Sequence, residues 1–120
     1  MFLQLGHTKL DVYSISRQLL RESYRVAAKF PIEEKYILSQ QIKRAALSVQ
    51  LNIAEGSSRR SDMERKRYYE IARGSVIEID AALNAAYDLG YCSSEGIPEF
   101  GEVIINCFKY LSGLINSIPT

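Results

Sequence analysis

An all-α, antiparallel up-down-up-down four-helix bundle is predicted by three features of this 120-residue sequence. Apolar residues recur at three- and four-residue spacing from one end to the other. Proline, glycine and serine punctuation cuts that pattern into four long segments joined by short connections, the signature of antiparallel neighbours. No alternating apolar–polar run competes with it as a strand. The chain is long enough to bury one core without disulfides or metal, so residues 1–120 are read as a single domain.

The first helix is expected over residues 8–30. Thr8 followed by Asp11 suits a cap, and Val12, Ile15, Leu19, Ser23, Val26 and Phe30 recur as its inner face. Phe30-Pro31 closes it, because proline disfavours helical geometry in the residue before it. The second helix is expected over 31–55. Pro31 fits its first turn, where a missing N–H is no loss, and Glu33 and Glu34 suit the positive helix end. Leu38, Ile42, Ala45, Val49 and Asn52 share a face, and Gly56 is the expected left-handed stop. Ser61-Asp-Met-Glu64 reads as a capping box that opens a third helix over 61–89. Tyr68/Tyr69, Ala72, Val76, Ile79 and Leu83 carry its stripe to Gly90. A loop, YCSSEGIP, leads to a fourth helix over 98–117, with Phe100, Ile104, Cys107, Leu111 and Ile115 facing inward.

Composition removes several function classes. Apolar residues are 47% and charged ones 24%, ordinary for a globular protein. No run approaches the roughly 20 apolar residues of a membrane span, and the first residues do not resemble a signal peptide, so the expected compartment is the cytoplasm with no membrane partner. His7 is the only histidine, and Cys92 and Cys107 are the only cysteines, in no CxxC spacing. They make no ordinary zinc site, and no cofactor motif is present. Without a Glu-x-x-His pair, a phosphate-loop spacing or a base beside Ser57 and Ser58, no catalytic set assembles, and the sequence is read as that of a non-enzyme.

The net charge is only +1, but its distribution is uneven. Residues 1–73 hold 14 Lys/Arg against 8 Asp/Glu, whereas residues 74–120 hold Lys109 alone against 6 acids. Arg59, Arg60, Arg65, Lys66 and Arg67, with Lys43 and Arg44 on the second helix, form a candidate nucleic-acid-binding cluster. Arg17, Arg21, Arg25 and Lys29 form an i, i+4 ladder on the first helix. The bland reading of such residues is a solvated or intersubunit face. Asn52, Glu55, Gly56 and Ser61 form a candidate structural corner. The Asn52 amide faces inward and needs partners, and a carboxylate at a helix C-terminus needs a cation. We expect Asn52 to bond the Gly56–Arg60 turn and Glu55 to pair with an arginine.

The stretch LNIAEGSSRRSDMERKRYYEIARGSVIEIDAALNAAYDLGY, Leu51 to Tyr91, resembles the four-helix-bundle family of 23S ribosomal RNA intervening-sequence proteins. The shared features are the N-I-A-E-G turn, the serine and basic stretch after it, the Y-x-x-I-A-x-G-S type of run and the L-G-Y ending. The proline common before that turn is absent here, where Ser48-Val-Gln-Leu-Asn52 stands. The resemblance implies a homopentameric ring and a tie to structured RNA, or to a nucleic-acid-processing protein, since basic relatives work beside a reverse transcriptase. The competing reading is a scaffold that docks a protein partner and binds no nucleic acid.

Overall fold

The computed structural model describes residues 1–119, which form four helices and no strand. They are α1 (Asp11–Ala27), α2 (Leu38–Ser57), α3 (Asp62–Asp88) and α4 (Pro98–Ser117). Each helix packs on its two neighbours in the order α1–α2–α3–α4–α1, which is the square plan of an up-down-up-down bundle. The body measures 44 × 30 × 22 Å. Its core is the set of stripes expected from periodicity: Val12, Leu19 and Val26 from α1; Ile42, Val49 and Ile53 from α2; Val76, Ile79 and Leu83 from α3; Phe100, Ile104, Leu111 and Ile115 from α4. Cys107 lies wholly inside, and burial pushes its thiol up to about 12, so it packs as a small apolar group.

Three helix ends follow local chemistry. Ser61 caps α3, its Oγ accepting from the Glu64 N–H at 3.1 Å. Gly90 takes the left-handed conformation (φ 78°) after α3, and the Tyr91 N–H returns to the Ala86 carbonyl at 2.9 Å. Pro98 occupies the first turn of α4, where its missing donor costs nothing.

Other ends differ from expectation, each for a visible reason. Thr8 does not cap α1. It belongs to a 3-10 turn, Gly6–Lys9, in which its hydroxyl and N–H both bond the Leu5 carbonyl, at 2.7 and 3.1 Å. Pro31 does not open α2 either. Ile32–Glu34 is a separate 3-10 turn, and α2 begins seven residues after Pro31, at Leu38. Glu34 explains the delay, because one carboxylate oxygen accepts from the Leu38 N–H at 3.4 Å and the other from the Tyr91 hydroxyl at 3.1 Å.

Gly56 is helical, not left-handed, and α2 runs on through Ser57. Its missing side chain serves packing instead. A Cβ there would stand 2.9 Å from Tyr68 Cβ and 2.9 Å from the Tyr69 ring, closer than real carbon atoms approach. Absence of that carbon lets α3 turn back directly against the end of α2. Gly56→Ala should therefore destabilise the fold by about 1–3 kcal/mol, the usual cost of forcing an extra carbon into a packed site. Gly74→Ala, at a helical position with nothing near the new Cβ, should stabilise it by roughly 0.5–1 kcal/mol. Equal shifts of the two urea midpoints would overturn the close-approach account.

Candidate nucleic-acid interface

The α2–α3 connection gathers part of the predicted cluster at one corner. Glu55, in the last turn of α2, would be disfavoured there by the helix dipole. Arg59, four residues on, forms an ion pair with it. The same guanidinium donates to the Tyr68 hydroxyl at 3.0 Å and lies over the Tyr68 ring, 4.9 Å from its centroid. Burial opposes the Arg59 charge, but Tyr68 and Glu55 outweigh it and hold the group above its ordinary value. Ser58 Oγ donates to the Glu55 carbonyl and Ser57 Oγ to that of Ala54, at 2.7 and 2.9 Å, adding side-chain donors to carbonyls of the last turn. Next to them Tyr69 is buried, and that burial raises its hydroxyl pKa, against a smaller opposing effect of Arg65.

Asn52 is half-buried but does not reach this turn. Its amide donates back along α2, to the Ser48 carbonyl at 2.8 Å and to Ser48 Oγ at 3.0 Å. Ser48 Oγ also accepts from Ser75 Oγ at 2.9 Å, so the amide begins a polar string crossing from α2 to α3. The donors of the turn are already engaged by carbonyls of its own helix: the Ser58 and Arg59 N–H groups bond Glu55 and Gly56. The two halves of the expected corner are thus separate. Glu55, Arg59 and Tyr68 lock the turn, and Asn52, Ser48 and Ser75 align the helices above it.

The cations divide in the same way. Arg65 pairs with Asp62 and also donates to the Arg60 carbonyl at 3.2 Å. Arg60, Lys66 and Arg67 form no ion pair among the described residues; Arg60 and Arg67 are exposed and Lys66 partly so. Lys43 and Arg44 do not join them. A rise of 1.5 Å per residue puts Arg44 roughly 18 Å along α2 from Gly56. Lys43 turns toward α1, its ammonium 5.1 Å from the Tyr24 ring centroid. On α1 only Arg25 of the ladder is paired among the described residues, to Glu22 at 2.5 Å, and that bond raises its pKa. The opposite end of the bundle is mixed, with Glu33, Glu34, Asp88, Glu95, Glu99 and Glu102 near Lys29 and Lys35. Among the described residues no three His, Cys, Asp or Glu side chains are grouped to hold a metal.

Among apolar residues outside the main stripes, Tyr13 and Leu20 pack against the core, whereas Leu47, Leu51 and Tyr110 are exposed. Residues missed by sequence reading complete two seams beside α3. Ile71 lies one turn from Ser75 on the α2 side, level with Leu51 in the register that Ser48 and Ser75 set. Ile77, Phe108 and Ile105 lie on the α4 side, where Arg73 donates to Ser112 Oγ at 3.2 Å and covers the Phe108 ring.

A family model described as 23S rRNA-intervening sequence protein matches residues 8–113. No curated protein matches the chain. A crystal structure described as a protein with unknown function from the S23 ribosomal protein family, from Bacteroides thetaiotaomicron VPI-5482, superposes with a TM-score of 0.80 at 20% identity. The match covers 88% of this chain and 96% of that one, and shows a shared fold.

The division of the cations has a measurable consequence. Arg59→Ala, which strips Glu55 and Tyr68 of a shared partner, should lower the melting temperature. Arg60→Ala should leave it unchanged within error. A melting temperature indifferent to both would show that the Arg59 contacts do not hold the corner.

Proposed function

This chain belongs to the family of 23S rRNA-intervening sequence proteins, and from that premise we propose a non-enzymatic, homo-oligomeric accessory that binds structured RNA at its α2–α3 end. The carrying observation is that Arg60, Lys66 and Arg67 lack ion-pair partners among the described residues, while Arg59 and Arg65 at the same corner have them. Three such cations stand at the N-terminal turns of α3, where the helix dipole also favours a phosphate. One set of three is a modest site. A ring repeats it, and simultaneous engagement multiplies affinity without new contacts. The family resemblance favours five copies. The two apolar seams flanking α3 support association, since uncovered patches mark interfaces.

A specific feature favours the second reading, a scaffold for a protein partner. Ile32, Tyr36 and Ile37 in the α1–α2 connection are 80, 77 and 69% exposed, at the end remote from the corner cations. A nucleic-acid-processing protein docked there would leave the basic end open. If that docking is the sole role, RNA binding is dispensable.

The two readings separate in one titration. Replacing Arg60, Lys66 and Arg67 together by alanine should weaken binding to a structured RNA. The slope of log affinity against log salt should fall by roughly 2 for each subunit engaged, since each phosphate contact contributes about 0.7–0.9. The Arg59→Ala/Arg65→Ala pair should change that slope much less. Unchanged affinity in the triple variant, its helical signal intact, would place the site elsewhere. No RNA affinity for the parent chain at low salt would favour the scaffold. A monomeric mass by light scattering at micromolar concentration would overturn the oligomer.

A further inference from the structure

Residues 1–5 carry Met1, Phe2, Leu3 and Leu5, which are 94, 90, 66 and 52% exposed. None packs on the core of its own bundle. The segment leaves on the α1/α2 flank, where Met1 and Gln4 border a hollow with Tyr13, Arg17 and Gln50. The 3-10 turn after it is fixed by the two Thr8–Leu5 bonds and by His7 set edge-on against Tyr13, ring centroids 4.9 Å apart.

On the neighbouring α4/α1 flank, at the same end of the bundle, lies an open apolar groove of about 460 Å³. Leu10, Val12, Tyr110 and Leu114 wall it, and Gly113 leaves empty space where a side chain would stand. Asp11 and Lys109 border it, an acceptor and a donor for the backbone of an extended peptide. An apolar cavity of about 150 Å³ admits a benzene ring. The groove therefore has room for roughly three large apolar side chains, the number that Met1, Leu3 and Leu5 offer on one face of an extended segment.

We propose that this groove receives the 1–5 segment of a neighbouring copy of the chain. The inference rests on the homo-oligomer reading and names a contact that holds it. The fixed turn aims the segment at the flank away from its own groove, so occupation by a second copy leaves every turn bond intact. The exposed side chains of the segment and the apolar wall of the groove leave water together, and a ring repeats that contact at every interface. Donor segment and acceptor groove occupy adjacent sides of a square bundle. Successive copies joined this way are turned relative to one another, which favours a small closed ring over a straight filament.

The full chain tests this directly. Phe2→Asp/Leu3→Asp removes the insert. Gly113→Leu fills the groove while placing a better helix former in α4, so folding is preserved and can be checked by circular dichroism. In sedimentation experiments each variant should raise the concentration of half-assembly at least tenfold. A photo-crosslinking side chain at position 3, in a mixture of isotopically light and heavy copies, should join Tyr110 or Leu114 of the other copy. Crosslinks confined to single copies, or variants that assemble like the parent, would overturn segment exchange and leave the oligomer standing. A parent chain monomeric at every concentration would overturn both.

Discussion

The bundle depends on a carbon atom that is not there. At Gly56 the end of α2 meets the first turns of α3, and any side chain would collide with Tyr68 and Tyr69. Contact between α2 and α3 is the most extensive of any helix pair. It begins at this crossing, so the approach distance there sets the register above it, where Ser48 meets Ser75 and Gln41 meets Glu78. The neighbouring residues of the N-I-A-E-G turn have parts in the same device. Ile53 is core, Glu55 recruits Arg59, and Asn52 ties the helix back to Ser48.

That arrangement also decides which charges remain for other work. A helix C-terminus followed closely by a helix N-terminus needs a cation at the first and an anion at the second. Arg59 supplies the one and Asp62 and Glu64 the other. Surface pairs of this kind contribute little energy individually. Their effect here is geometric, since Arg59 is held over the Tyr68 ring and Arg65 reaches back to the turn. A run that reads as five equivalent cations is two structural ones and three that are not spent on the fold.

What the sequence revealed follows a physical boundary. Features set within one turn were legible: the Ser61 cap and the Gly90 stop, together with the apolar stripes. Features set by distant residues were not. Glu34 delays α2 because Tyr91, 57 positions away, shares its carboxylate. Gly56 looked like a local stop because glycine is common at helix ends, whereas its reason lies in α3. Asn52 was correctly turned inward, but its partner depended on which donors the turn had already used. Lys43 and Arg44 seemed near the corner only until the rise of α2 separated them. At the corner, the pairing of Glu55 with an arginine was readable, but which neighbouring cations form no ion pair among the described residues was not.

Ends and flanks of this bundle consequently carry different kinds of surface. The corner cations that form no ion pair among the described residues crown one end, while the seams beside α3 and the α4/α1 groove run along the sides. Side-by-side association of the kind proposed would cover sides and leave ends in solvent, so that assembly and phosphate binding would draw on separate surfaces. Within a ring of parallel copies, each α3 N-terminus would then present its cations on one rim at fixed spacing. Such a rim matches a folded RNA by the spacing of its phosphates more than by base identity, because charge and helix dipole read no sequence. On this plan, the number of copies in the ring is itself a determinant of which RNA fits.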